Sequence, residues 1–405
     1  MRVRLRSARF GSRTGRRAAW LLLATLVAAL SPLPAAMAGT GGNTFFLVGC
    51  ALFLLYAIPH RQAFNWERAP LAFVPTVIAL PAVLYWRDPA LALYSIYFVA
   101  GVLVFLACDD EVVAEFSRLA SGLLLLVTIG AWIGFFYALA GGPSLFEIQN
   151  PDGRSNGFFL TTFSNWWIGN LIRPAGIFDE PGTLSFLICF IAALRHRLGQ
   201  SKRVTWLLLL AGLITTSLAH VVYVLLHALA DRRFLRPAWK YLAAAAALGV
   251  VLLANTELSS SPESDVFISR FVIDEGRLGG DSRTDLLLAA LDRTTFDTFL
   301  FGIDNDCAVR PMFCDAKGYD QFGETPAGVL LQLGIFLSAA YWFVMFATLG
   351  LAVARRSPIL LGLFLLLVQR PNVMTFGYSF LILLVIFTVP KRRIRRLMPR
   401  SATST

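Results

Sequence analysis

The chain reads as all-α, a polytopic integral membrane bundle of about twelve membrane segments, and three observations predict it. Hydrophobic residues make up 57% of it and charged residues only 15%, with a mean hydropathy of +0.65. That composition is foreign to soluble globular domains. Apolar runs near the length that spans ~30 Å of hydrocarbon recur from end to end. Finally, the basic residues gather in short clusters between those runs.

The runs place spans near residues 18–38, 44–59, 69–86, 90–107, 119–140, 183–194, 240–255, 325–353, 358–369 and 372–389. The formal charge of +11 lies mainly at Met1–Arg17, Arg195–Arg203, Asp231–Lys240, Arg355–Arg356 and Lys391–Arg400. Such juxtamembrane clusters follow the positive-inside rule and attract anionic lipid, which makes membrane lipids partners and argues against nucleic acid. With Met1 inside, linkers 60–68, 108–118 and 195–203 fall inside, and 39–43, 87–89 and 141–182 outside. A single crossing by 204–230 would put Arg232, Arg233, Arg236 and Lys240 outside and invert every later cluster. Two crossings, or a dip and return, restore the rule. The turn Ile214–His220 (ITTSLAH) carries the polar atoms that bare backbone at membrane depth requires. A hairpin of short helices is therefore expected over 204–230, with both termini cytoplasmic. The first segment also looks like a signal peptide, with a basic start, an apolar middle and Pro34–Gly39 as a small-residue end. Its cleavage would leave the remaining topology unchanged.

Residues 1–405 thus read as a single membrane domain with two long outer segments, 141–182 and 256–324. Loops of that length are commonly functional or disordered, and these carry structural signals. The first holds Phe158, Phe159, Phe163, Trp166 and Trp167, suited to an interfacial aromatic belt. The second contains Ser282–Asp285, a capping-box-like start, followed by a run in which Leu287, Leu291 and Phe299 can share one interfacial helix face. Of the five cysteines, Cys50, Cys108 and Cys189 sit in or beside apolar spans as small hydrophobes. Cys307 and Cys314 lie close together in the outer loop, where an oxidising compartment permits a disulfide; two free thiols are the alternative. No outer segment has a histidine to complete a zinc site, so no metal is expected. His60 and His196 fall inside, and His220 and His227 in the hairpin, with a packed role expected for His220.

The outer face is rich in arginine for a membrane protein: Arg154, Arg173, Arg270, Arg277, Arg283, Arg293 and Arg310, with Lys317. Guanidinium groups match phosphate oxygens in a bidentate fork and stay charged near lipid, so they fit a diphosphate; an ordinary solvated loop surface is the alternative. Candidate bases are Asp179, Glu180, Asp281, Asp285 and Glu324, since a carboxylate at a desolvated rim can be raised towards a general base's working range. Glu180 before Pro181 and Glu324 before Thr325-Pro326 could equally cap the helices they precede.

The order of these features resembles bacterial O-antigen polymerases and ligases and the related exopolysaccharide polymerases. Arg173, Gly176, Phe178, Glu180 and Pro181 match the arginine, glycine, aromatic and acidic pattern before a span. Thr215, Thr216 and Ser217 match a serine-rich turn in a paired-helix region. Gly276, Arg277, Arg283 and Gly302 match the late loop, and Leu330, Leu331, Leu333 and Gly334 the opening of the next span. The likeness covers roughly residues 120–350. Ligases of this group usually keep a histidine before that span, where this chain has Gln321-Phe-Gly-Glu324, which favours polymerase over ligase.

The resemblance implies an inner-membrane glycosyltransferase that joins polyprenyl-diphosphate-linked oligosaccharides at the periplasmic face, with no cofactor. Arg173 and Arg283 would hold the diphosphate and Glu180 would deprotonate the acceptor hydroxyl. Arg154, Arg277, Asp281 and Glu324 would line the substrate site. A flippase and a chain-length regulator of the same pathway are implied partners. A ligase-type transferase or a lipid-linked glycan flippase are the alternatives, although transporters commonly carry paired repeats and intramembrane charge. Reporter fusions at Ser155 and Asp292 are expected to register outside the cytosol; a cytoplasmic signal from either would separate the two arginine-bearing loops.

Overall fold

In a computed structural model, residues 13–39, 41–60, 70–87, 92–149, 155–168, 170–231, 273–274, 277–278, 288, 290–292, 294–303, 325–370 and 378–388 are described. Helices α1 (Arg13–Leu30), α2 (Pro32–Ala38), α3 (Gly42–His60), α4 (Pro70–Trp86), α5 (Ala92–Ala107) and α6 (Asp110–Leu139) come first. The 73° bend between α1 and α2 falls where Ser31 is extended ahead of Pro32, as the residue before proline prefers. Asp109 caps α6 by accepting the Val112 amide at 2.8 Å, satisfying one of the donors a helix start leaves over. Segment 141–182 then forms short antiparallel strands: β1 (Phe146–Gln149), β2 (Ser155–Phe159) and β3 (Thr162–Ser164) in one sheet, β4 (Trp167–Ile168) and β5 (Leu171–Ile172) in another.

The centre of the molecule is α7 (Pro181–Leu198), whose residues from Thr183 to Arg195 are all buried. It packs against α6, α8 (Lys202–Ala211), α9 (Leu218–Ala230), α13 (Pro358–Gln369) and α14 (Ser379–Phe387). Helix α14 is buried from Ser379 to Ile386. A helix apolar all round belongs inside a bundle or a membrane. On the periphery the pattern reverses: Leu55 on α3, Phe73 and Leu84 on α4, and Leu126 on α6 leave two thirds or more of their surface uncovered. So much exposed hydrocarbon is stable only against lipid. The chain is a mostly helical membrane protein.

Among the described residues, Gly42–Pro59 and Asp110–Leu139 are long and apolar enough to cross a membrane, and two bent pairs raise the number to four. Other apolar helices are shorter, 10–17 residues. One expected continuous span, 325–353, is instead α11 (Pro326–Leu337) and α12 (Ala339–Arg355) at 109°. Its apolar run hides two breaks. Gly334 is non-helical (φ 63°, ψ 174°), and Ser338 ends α11 while its hydroxyl donates to the Gly334 carbonyl.

Residues 294–303 fill the first break. Helix α10 (Phe296–Phe301) packs on α11 and α4, and Trp86 donates its indole N–H to the Phe301 carbonyl at 2.8 Å. Tyr85 stacks on Phe301, and the Ile303 amide donates to the Leu331 carbonyl at 2.8 Å. Gly302 (φ 82°) and Gly334 (φ 63°) meet backbone to backbone, with no space for a β-carbon on either. Backbone is helical at 288 and 290–292, yet Thr295 starts α10 with its own capping box to Thr298. One helix face running from Leu291 to Phe299 is therefore interrupted, and Leu287 lies outside the described residues. The expected Ser282 start lies outside the described residues.

Segment 204–230 holds α8, a short 3-10 turn over Gly212–Thr215, and α9. Lys202 pairs with Asp231 where the segment enters and leaves, and Trp206 lies edge-on to His227 further in. Burial pushes the Asp231 carboxyl up, but the Lys202 ammonium and the Trp206 indole outweigh it and hold it below its ordinary value. Gly334→Ala is expected to cost about 1–3 kcal/mol, the range for strained left-handed backbone. Gly350→Ala, in open space within α12, should be neutral or slightly stabilising. Thermal unfolding of the purified protein in detergent checks the difference.

Candidate functional site

The stretch from Arg173 to Gly182 is anchored from three sides before any charge is considered. Thr161 donates its hydroxyl to the Gly130 carbonyl of α6 at 2.6 Å. Phe163 donates its amide to the Gly176 carbonyl and accepts from the Ala175 amide, both at 2.7 Å, and the Gly176 amide donates to the Thr162 hydroxyl at 2.8 Å. Phe163 and Phe178 are buried beneath. The short strands thus pin the loop to α6, which fixes where its ionisable residues stand.

Arg173 reaches the tip of the α8–α9 hairpin, donating Nε–H to the Thr216 hydroxyl oxygen at 3.1 Å. Thr216 sits in the left-handed region at φ 49°, unusual for a β-branched residue and strained. The tip's backbone finds the internal partners it needs. Thr215 donates to the Gly212 carbonyl at 2.9 Å, Thr216 to the Thr215 carbonyl at 2.9 Å, and the Trp132 indole to the Ala211 carbonyl at 3.2 Å. Below the tip, His220 is buried with Nε2 at 2.8 Å from the Leu209 carbonyl and Nδ1 at 3.2 Å from the Ser185 hydroxyl. Donation from Nε2 to the carbonyl leaves Nδ1 to accept, a packed histidine within the bundle.

Glu180 opens α7 without capping it by side chain. Its Oε1 accepts from Arg370 Nη1 at 2.6 Å, with the two side chains 16% and 11% exposed. Arg370 follows α13, and the first turn of α7 accommodates it because residue 182 is glycine: a β-carbon there would collide with the guanidinium. The neighbouring Asp179 accepts from the Thr183 hydroxyl at 2.8 Å. Tyr378, buried at the start of α14, is hydrogen-bonded to Thr183 and lies within electrostatic reach of Arg370, Asp179 and Glu180. The Glu-Pro-Gly sequence at 180–182 therefore supplies the carboxylate, a helix start and the seat for its counter-ion.

Of the residues expected from sequence, Arg173 meets the predicted threonine turn and Glu180 meets Arg370. Only the backbone of Arg277 is described, in β7 (Arg277–Leu278), which pairs with β6 (Ile273–Asp274). Arg154, Asp281, Arg283, Glu324, Cys307 and Cys314 lie outside the described residues. At α11 the hydroxyl of Thr325 accepts from the Gly328 amide at 3.0 Å, so a threonine supplies the cap for which Glu324 was a candidate. Arg370 and Tyr378 were missed. The signal for Arg370 was present, since Gln369-Arg370-Pro371-Asn372 sets one arginine between two apolar runs. Three of the cysteines, Cys50, Cys108 and Cys189, are free, the first and last of them buried. No group of His, Cys, Asp and Glu able to hold a metal occurs among the described residues.

The chain matches no protein-family model, curated protein or solved structure in the comparisons made with them. What the arrangement can do chemically follows from its groups: Arg370, a guanidinium able to bind an anion, stands beside Glu180, a carboxylate able to accept a proton.

Gly182→Ala is expected to cost about 1–3 kcal/mol by overpacking, and close to nothing when Arg370 is already alanine. A double-mutant cycle on detergent melting curves measures that coupling.

Proposed function

We propose that this protein is a polysaccharide polymerase of the bacterial inner membrane, joining polyprenyl-diphosphate-linked oligosaccharide repeat units at the periplasmic face. Within this reading the chain has about twelve membrane segments, both termini are cytoplasmic, and 204–230 dips in from the cytoplasm and returns. The legs suit a dip. Helix α8 with its 3-10 turn is roughly 23 Å long and α9 roughly 20 Å, both short of ~30 Å of hydrocarbon. The hairpin's tip would meet the outer loop because that loop descends to it.

The observation that carries the proposal is the contact between Arg173 and Thr216. It joins the loop motif and the hydroxyl-rich turn, 43 residues apart, on the side where a lipid-borne anion would arrive. In the proposed step the acceptor hydroxyl gives its proton to Glu180 and its oxygen attacks the anomeric carbon of the donor. The bond from that carbon to the diphosphate oxygen breaks, and polyprenyl diphosphate leaves as an anion. Arg173 and Arg283 stabilise the charge as it develops. A flippase and a chain-length regulator would work alongside, before and during chain growth.

Deleting the protein should leave single repeat units on a glycan gel. Long chains lacking their anchor would instead indicate a ligase, and units stranded in the cytoplasm a flippase. A normal chain-length distribution would remove the proposal. Arg173→Ala and Arg283→Ala should each abolish polymer with the protein still in the membrane, and Arg173→Lys should do little better because it lacks the fork.

A further inference from the structure

We infer that Arg197 and Arg355, on two helices that end together at the far end of the bundle from Glu180, bind the phosphate of an acidic lipid headgroup. The inference is independent of the proposed glycan transfer.

The fold joins the two arginines from distant parts of the chain. In sequence they belong to separate basic clusters, Arg195–Arg203 and Arg355–Arg356. Helix α7 starts at Glu180 and ends at Leu198. Helix α13 packs on α7 and is followed by Arg370, which meets Glu180, so its beginning at Pro358 lies towards Leu198. Helix α12 ends just before Pro358, and its turn is tied by backbone. The Arg356 amide donates to the Val353 carbonyl at 3.1 Å and the Ser357 amide to the Ala352 carbonyl at 2.9 Å. Arg355 thus arrives on an ordered turn, and it is exposed.

Charge at this corner is one-sided. Arg197 donates Nη1–H to the Val385 and Ile386 carbonyls at 2.6 and 2.7 Å and Nη2–H to the Thr388 carbonyl, all neutral acceptors. Burial, and then the like charge of Arg355, hold its guanidinium below its ordinary value, with no carboxylate acting against them. Two residues earlier, Arg195 is buried among hydroxyls and a carbonyl, again without a carboxylate. Capping accounts for Arg197, since a cation suits the negative end of α14. It does not account for a second guanidinium set against the first. Among the described residues, no carboxylate is paired with Arg355.

Two like charges at a hydrocarbon rim repel one another, and an anion between them removes the repulsion. Phosphate suits the position because its oxygens can accept from both guanidiniums at once. Apolar helices stop at this level, where a bilayer presents its headgroups, and basic groups between membrane helices take acidic headgroups there.

The test titrates delipidated full-length protein in neutral detergent with short-chain phosphatidylglycerol, short-chain phosphatidylcholine or inorganic phosphate, counting bound molecules by native mass spectrometry. One phosphatidylglycerol should bind about tenfold tighter than phosphatidylcholine, and R355Q should weaken it about tenfold. R203Q removes the same charge from an exposed position on α8 at the same end and should change binding less than about twofold. Equal losses in R355Q and R203Q would mean diffuse attraction and overturn the site. So would native-level binding by R355Q, or equal affinity for the two lipids. R197Q should match R355Q, but it also strips α14 of its bonds, so the exposed R355Q is the deciding variant if R197Q fails to fold. Inorganic phosphate should displace the lipid only in large excess. Displacement at equal concentration would assign the site to free phosphate and overturn the lipid source.

Discussion

Low dielectric along α7 is the constraint on which the rest of this structure depends. The helix is buried throughout its apolar length and ionisable at both ends, so each charge there must find a partner inside the protein. At one end Glu180 takes Arg370. At the other, Arg195 donates to the hydroxyls of Ser121 and Thr205 and to the Ser201 carbonyl. Arg197 donates to the carbonyls of Val385, Ile386 and Thr388, closing the last turn of α14. There a cation also meets the negative end of the helix dipole. These bonds tie α6, α8 and α14 to a single rod, and hydrophobic packing alone, being non-directional, would not fix their register.

The hairpin follows the same logic. Its two ends are joined by Lys202 and Asp231, and its tip is joined to the 141–182 segment by Arg173 and Thr216. Between these lie His220 and His227, each in contact with neighbouring side chains. The segment is held at both extremities by polar contacts, and the strain at Thr216 is tolerated because Trp132 and the turn hydroxyls satisfy the surrounding carbonyls. Strain of this sort persists only where the surroundings over-determine it.

How much of this was legible in the sequence depended on how local each cause was. The apolar runs, the polar break at Ile214–His220 and the helix start at Glu180-Pro181 are local, and among the described residues the structure has helices and a turn where they indicate; the run 240–255 lies outside those residues. The counter-ion of Glu180 is 190 residues away, so pattern could single out Arg370 between two apolar runs but gave no route from it to Glu180, and left capping and chemistry as rival roles for the glutamate. The bend at Gly334 and Ser338 was concealed because LeuGlyIlePheLeuSer reads as continuous hydrocarbon; its cause is the tertiary approach of Gly302. Strands in 146–172 were missed for another reason. They are two to five residues long, too short for alternation to register, and their aromatic content spoke first of a membrane surface.

Charge balance gives the candidate site its final constraint. Asp179, Glu180, Arg173 and Arg370 are two carboxylates and two guanidiniums, a neutral set in a region where net charge is expensive. A diphosphate entering such a set adds negative charge, and Arg370 already holds a carboxylate. Proton transfer to a carboxylate offsets part of the excess, and further cations must offset the remainder. The segment 256–324 is where the sequence holds them, at Arg270, Arg277, Arg283, Arg293 and Arg310, and α10 and Gly302 fasten the end of that segment onto α4 and the broken α11. In the proposed reaction, the loop's attachment at Gly334 and the anion's requirement for further guanidiniums are two sides of one arrangement. In that proposal the loop supplies the remaining cations, and the helix break gives it a fixed point from which to do so.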